Sequence, residues 1–287
     1  MSAIAWVDVF ASGPMTGNPL AVVLDADDWP AQRMLAFAAE LGISETAFVT
    51  AAADGDADHR VRIFTPLREL ALAGHPLVGT AWVLRAAGRI APLGRLGTGA
   101  GVLEVRVHGQ VATVALAAPV PGAPVDGAEA AAAAGVAPAP GPAARIWSAG
   151  MPHLMLAAAD DGAVAGARPD HDALRRLAER DGWLGVSVYA TRRGDDGRVS
   201  ARVRHFAPLL GIPEDPVTGS AAGALGACLA AEGMGAPGGL ELVVRQGTPA
   251  GRGGEVAVRV ACADGRPARV QVGGRVVPLF EGRVLNP

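Results

Sequence analysis

Apolar positions along the chain change period several times, and each change marks an element. Residues 5–10 read as a strand, a turn covers 13–19, and 20–24 is a short valine-bearing run of the kind found in buried strands. Residues 29–41 switch to helical spacing at Met34, Leu35, Ala38 and Leu41, with Pro30 near the start and Gly42 as the stop. Strand character returns at 46–49 and 61–64. A helix then opens with Pro76 in its first position and ends near Gly88. Residues 102–107 and 111–116, split by His108-Gly109-Gln110, predict a hairpin.

The second half repeats this plan. Gly150-Met151-Pro152 ahead of 154–156 mirrors Gly17-Asn18-Pro19 ahead of 20–24; helical spacing over 172–179 mirrors 29–41; and 186–191 mirrors 45–50. Strands at 240–245, 256–260 and 268–272 follow. The two helices beginning near 76 and 217 are apolar on all sides, the second running to 231 almost without charge, so each must be enclosed. The expected fold is α+β: two pseudo-symmetric lobes, each a curled mixed sheet or barrel around a central apolar helix. Residues 1–118 form the N-terminal lobe, with the final strand 276–287 as a candidate to join it, and 145–275 form the C-terminal lobe. Between them 119–144 is rich in Pro, Ala and Gly with few large apolar side chains. It is expected to be a linker adding little to any core, with one short alanine helix over 127–134.

The repeat is also verbal. His75-Pro76-Leu77-Val78-Gly79-Thr80-Ala81 is echoed by Asp215-Pro216-Val217-Thr218-Gly219-Ser220-Ala221, and Val61-Arg62-Ile63-Phe64-Thr65-Pro66 by Val203-Arg204-His205-Phe206-Ala207-Pro208. Read in this alignment, His75 faces Asp215, and matching 47–50 to 188–191 sets Glu45 against Val186. A helix start offers unpaired N–H groups and a positive dipole end, so two small-residue helix starts suit a carboxylate lying across a pseudo-dyad between the lobes. Gly74 suits close approach of backbone to ligand. Ordinary helix punctuation, with Asp as N-cap, accounts for one copy but less well for two. Glu45 reads either as an exposed strand-end carboxylate or, beside Phe48, as a group in a dry pocket whose pKa is raised toward the range of an acid/base catalyst.

Composition removes other classes. With 25 basic and 28 acidic residues the net charge is −3 with no runs of one sign, and aromatics make up 4 %, so neither a basic patch for nucleic acid nor a base-stacking platform is expected. Cys228 and Cys262 are too few for a disulfide framework or a zinc site, and the six histidines lack ligand spacing, so no metal is expected. No phosphate-cradling glycine motif follows a strand, so no nucleotide cofactor is expected, and Ser220 is not in a nucleophile elbow. The N-terminus does not read as a signal peptide and no apolar run reaches about 18 residues, so the expectation is a soluble, cytoplasmic protein.

Val7-Asp8-Val9-Phe10, Gly17-Asn18-Pro19, Ser44-Glu45-Thr46-Ala47-Phe48, the stretch 62–66, Gly74-His75, the stretch 214–221 and Gln246-Gly247 together resemble the phenazine-biosynthesis PhzF-like isomerase family, which shares the two-lobed diaminopimelate epimerase fold. The resemblance spans essentially the whole chain. It implies cofactor-independent proton transfer on a small carboxylate, with Glu45 as general acid/base and Gly74, His75, Asp215, Gly219 and Ser220 holding the substrate. A trans-2,3-dihydro-3-hydroxyanthranilate-type substrate and a homodimer are implied in the same way. Related racemases use two thiols; here the positions compared are His75 and Asp215. This sequence departs from the family pattern at Ala222, where many relatives have histidine, and at Gly251-Arg252-Gly253-Gly254. Two alternatives stand beside the isomerase: a non-catalytic carboxylate-binding protein on the same scaffold, and an amino-acid racemase using His75 and Asp215.

Overall fold

The chain's computed structural model describes all residues except 1, 53–54, 138, 140–143, 248–250 and 286–287. Its contacts divide it into two units, Met1–Ala115 with Gly273–Pro287, and Leu116–Val272.

The first unit contains β1 (Ala3–Val9), β2 (Asn18–Val23), α1 (Ala31–Leu41), β3 (Glu45–Thr50), β4 (His59–Phe64), β5 (Glu69–Leu70), α2 (Gly74–Ala86), β6 (Leu93–Thr98), β7 (Gly101–His108) and β8 (Val111–Ala115). β1 pairs antiparallel with β2, β2 parallel with β3, β3 antiparallel with β4, and β4 parallel with β6. The hairpins β6–β7 and β7–β8 follow, and the last strand of the chain, Arg266–Arg283, pairs with both β8 and β1. The circuit closes into an eight-stranded barrel, with β5 appended to β4. α2 packs against β1, β2, β3, β4, β6, β7 and β8, which is why ten of its thirteen residues are buried and its one charged residue, Arg85, lies in the last turn. Gly79 permits this: a Cβ there would strike Leu20 and Val9. Outside the ring, α1 covers Phe48 and Phe64 with Met34, Ala38 and the preceding Trp29. Pro30 is its N-cap and Gly42 ends it in the left-handed region at φ 63°.

The second unit contains β9 (Val120–Pro124), α3 (Gly127–Ala134), β10 (Arg145–Ser148), β11 (Pro152–Ala157), α4 (Asp161–Gly166), α5 (His171–Asp181), β12 (Gly185–Arg193), β13 (Val199–Ala207), β14 (Ile212–Asp215), α6 (Gly219–Ala231), β15 (Gly239–Gly247), β16 (Gly253–Ala263) and the first half of β17 (Arg266–Arg283). β9–β10 and β10–β11 are antiparallel, β11–β12 parallel, β12–β13 antiparallel, β13–β15 parallel and β15–β16 antiparallel. Leu116 N–H donates to the Val270 carbonyl, drawing the segment before β9 against β17. α6 packs on β10, β11, β15 and β16 with eleven of thirteen residues buried. Gly226 stands where a Cβ would lie 2.7 Å from Val258 Cγ1. Among the described helices none is long and apolar enough to cross a membrane.

One expectation is overturned by packing. The Pro/Ala-rich stretch holds β9 and α3, and Ala130, Ala131, Ala133 and Ala134 are buried in one core cluster with Leu174, Leu177, Trp183 and Phe206. Small side chains bury little surface singly, but they let α3 lie close on α5. Positions 138 and 140–143 of that stretch lie outside the described residues.

The two ladders run in the same order, and their registers define equivalent positions. Phe48 lies opposite Arg62, and Val188 opposite Arg204; Glu45 therefore corresponds to Gly185, three residues earlier on each strand. Leu20 pairs with Glu45 and His153 with Gly185. Ile63 pairs with Leu70 as His205 pairs with Asp215. Both central helices are thirteen residues long, starting at Gly74 and Gly219. His75 thus corresponds to Ser220, not to Asp215, and Glu45 to Gly185, not to Val186. The verbal echo is five residues out of phase: the passage from Phe206 to its helix is three residues longer than that from Phe64, and the matched text itself slips by two. A one-turn helix, Pro208–Leu210, and a longer β14 take up the extra residues.

Candidate active site

Glu45 is the first residue of β3 and is buried at 7 % exposure. Side chains alternate along a strand, so Glu45 shares a face with Ala47 and Val49, while Phe48 points the other way, among Trp29 and Phe64. The expected pocket of Glu45 beside Phe48 therefore does not form. One neighbour of Glu45 is His75, the second residue of α2, with Nε2 3.5 Å from Glu45 Oε2. Burial of the imidazole pushes its pKa down to about 3, the Pro19 backbone opposing weakly, so the ring is neutral and the contact is not an ion pair at neutral pH. Asn18 Nδ2 and His75 Nδ1 lie 3.3 Å apart, and His75 Nε2 faces the Glu45 carboxyl group.

Asn18 is itself placed by the loop before β2. Gly17 turns the chain at φ 65°, where a Cβ would strike the Val9 carbonyl, and buried Asp8 accepts the Met15 N–H at 2.6 Å. A substitution at Gly17 would be strained for both reasons.

The starts of the central helices differ from those of α3, α4 and α5, whose first N–H groups are capped by Asp126, Asp160 and Asp170. α2 follows Ala73 and α6 follows Thr218, and neither has a side-chain cap. Pro76 is the third residue of α2 rather than the first, a position still tolerated because first-turn N–H groups have no partner within the helix. Asp215 is not the cap of α6. It ends β14, and its Oδ2 accepts Thr218 Oγ1–H at 2.5 Å. Buried Gln246 fixes this turn, donating to the Asp215 carbonyl at 2.7 Å and to Thr218 Oγ1 at 3.0 Å, and accepting Thr218 N–H at 3.1 Å. With the Thr218 hydroxyl spent on Asp215, the Gly219 and Ser220 amides keep an uncapped helix start.

Ser220 Oγ lies 3.0 Å from His153 Nε2, and Ser187 Oγ lies 2.9 Å from His205 Nδ1; the two rings meet edge to face at 5.1 Å. All four side chains are buried. Both imidazoles are held neutral by burial, His153 pushed down to about 3 and His205 well below the usual range, the neighbouring His153 ring further disfavouring a proton on His205. Cys228 lies in the third turn of α6 with its thiol pushed far above its ordinary pKa by burial, and Cys262 is half-buried on β16.

The family model for phenazine biosynthesis-like proteins matches residues 7–282. The chain belongs to that family. It is 36 % identical, over 285 residues covering 96 % of this chain and 97 % of the other, to a trans-2,3-dihydro-3-hydroxyanthranilate isomerase of Pseudomonas aeruginosa. A phenazine biosynthesis protein of the PhzF family from Bacillus anthracis superposes with TM-score 0.85 at 27 % identity, covering 99 % of each chain. A predicted epimerase from Pseudomonas aeruginosa superposes with TM-score 0.84 at 31 % identity over the whole of both. Within the phenazine biosynthesis-like family this protein is an enzyme of the isomerase class.

Of the residues singled out from sequence, Glu45, Gly74 and His75 come together in the first unit, and Asp215, Gly219 and Ser220 share the approach to α6 in the second. Asn18 and Gln246 were visible as parts of motifs without a role. His153, Ser187 and His205 were missed, although His205 against Ile63 in the repeated Val-Arg-X-Phe phrase was a legible signal.

Proposed function

We propose that this protein is a cofactor-independent isomerase that moves a proton on a small carboxylate of the trans-2,3-dihydro-3-hydroxyanthranilate type. Glu45 is the general acid/base: its carboxylate takes a proton from a carbon next to an activating group, and the resulting carboxylic acid returns a proton to another carbon of the same molecule, so the transfer needs no redox partner. His75, Gly74, Asp215, Gly219 and Ser220 hold and orient the substrate. The observation that carries this reading is the buried Glu45 carboxyl with the Nε2 of a neutral His75 3.5 Å away, a pairing that puts no fixed positive charge beside the carboxyl group. The named activity of the Pseudomonas aeruginosa relative supports the substrate class.

The test is solvent exchange. The wild-type protein in deuterium oxide should introduce deuterium into trans-2,3-dihydro-3-hydroxyanthranilate, followed by proton NMR. Glu45→Gln should slow this by about 100- to 10,000-fold, the usual contribution of a positioned acid/base, while retaining binding. Exchange that is unchanged in Glu45→Gln, or binding without exchange in the wild type, overturns the proposal.

A further inference from the structure

The second unit holds a buried chain of hydroxyl, imidazole, imidazole and hydroxyl, Ser187–His205–His153–Ser220, in which only Ser220 has a task as a substrate contact. In the first unit the equivalent positions are apolar along the strands: Leu20 for His153, Ala47 for Ser187 and Ile63 for His205. Two histidines at such positions carry a desolvation cost that Leu and Ile do not. His153 Nε2 is committed to Ser220 Oγ at 3.0 Å, while His153 Nδ1 is buried and has no hydrogen-bond partner among the described residues.

That asymmetry decides the tautomer. A neutral imidazole carries one proton. If it sat on Nδ1, a buried N–H would be left without an acceptor, which is rarer and costlier than an unfilled acceptor. With the proton on Nε2, the ring donates to Ser220 Oγ. A hydroxyl that has accepted this bond keeps its own proton free to point away from the ring. Ser220 is the second residue of an α6 start that has no side-chain cap, so that proton and the first-turn amides are all available donors.

We propose that His153 is a positioning residue that makes the Ser220 hydroxyl a hydrogen-bond donor to the substrate's carboxylate, with His205, anchored by Ser187, bracing the ring by its edge. This rests on the reading of Ser220 as a substrate contact. The arrangement requires neutral imidazoles throughout. A charged ring would still donate from Nε2 but would leave Nδ1–H unsatisfied.

The test has two arms. In the ligand-free wild-type protein at pH 7, long-range proton–nitrogen NMR of the imidazoles, assigned with His153→Gln, should show His153 as the neutral Nε2–H tautomer; an Nδ1–H tautomer or a charged ring overturns the proposal. In the second arm, His153→Met, which keeps bulk but no donor, should raise KM for trans-2,3-dihydro-3-hydroxyanthranilate about tenfold with kcat little changed. His153→Gln, which restores an N–H, should recover most of the loss. In a Ser220→Ala background His153→Met should add nothing, because the two act as one unit. Additive effects, or equal losses for Met and Gln, overturn the proposal. A wild-type protein that does not turn over this compound refutes the proposed function instead, and the NMR arm still rules on His153.

Discussion

Gly185 stands in the second ladder where Glu45 stands in the first, and the volume its absent side chain leaves is taken by His205, whose Nε2 lies 2.5 Å from where a Cβ would be. The repeat has exchanged a carboxylate reaching inward from one strand for an imidazole reaching inward from the next. Each unit thereby carries polar groups at positions the other fills with Leu, Ile or nothing.

Gly185→Ala should therefore destabilise the protein by about 1–3 kcal/mol, the usual cost of overpacking a filled interior, because Phe206 O is also only 3.0 Å from the new methyl. Urea unfolding followed by circular dichroism measures it; a midpoint within error of the wild type would show that His205 moves aside freely.

Arg62 and Arg204 come from the same repeated phrase, yet their removal should cost very different amounts. Arg204 is buried, forms a two-pronged pair with Glu214 and donates to the Ala165 and Ala167 carbonyls. Arg62 makes a similar pair with Glu69, but both side chains are partly exposed. Arg204→Ala should cost about 3–5 kcal/mol and Arg62→Ala about 1 kcal/mol or less. Comparable losses in thermal unfolding would contradict the difference.

Stability should fall on acidification before any carboxylate protonates. His75, His153 and His205 all have lowered pKa values in the fold, the first two to about 3. Unfolded histidines titrate near 6.5, so above that pH neither state binds the proton. Below it the unfolded chain takes up protons that the folded chain refuses, and stability declines from pH 6.5 down toward 3. His75 and His153 should each contribute about 1.5 kcal/mol of loss between pH 6.5 and pH 5, and His205 acts in the same direction. Unfolding at stepped pH should show this slope, and His153→Gln should flatten it by one proton; a flat profile from 7 to 5 would refute burial of the neutral rings.

Asn18→Leu should separate folding from turnover. It removes the amide 3.3 Å from His75 Nδ1 while keeping side-chain size, so the ring loses a polar contact that helps fix its orientation toward Glu45. Deuterium incorporation should drop about 100-fold, a penalty typical of a misplaced catalytic contact. Activity near wild type would show that α2 alone holds the imidazole.

Much of this was legible from spacing. Pro30 and Gly42 bounded α1, the uncharged runs announced helices enclosed by strands, and the repeat announced two like units, because each signal is local or periodic. Alignment of the copies was not legible in the same way. His75-Pro76 and Asp215-Pro216 match as text, but strand pairing and helix length decide structural equivalence, and both depend on contacts distant in sequence. The same limit hid the His153–Ser220 pair, whose members lie 67 residues apart. Alanines 130–134 were undervalued because small side chains carry little hydrophobic signal even where they permit the closest packing.

The long strand β17 has a consequence for how the molecule is made. The barrel of the first unit opens with β1 and is sealed only when Val276 to Arg283 come to lie beside β1, after the whole second unit has been synthesised. The unit that leaves the ribosome first is thus the one that finishes last, and α2 must wait with one wall missing. Co-translational assembly of this chain runs from the inner segment outward, against the usual N-to-C order of domain completion.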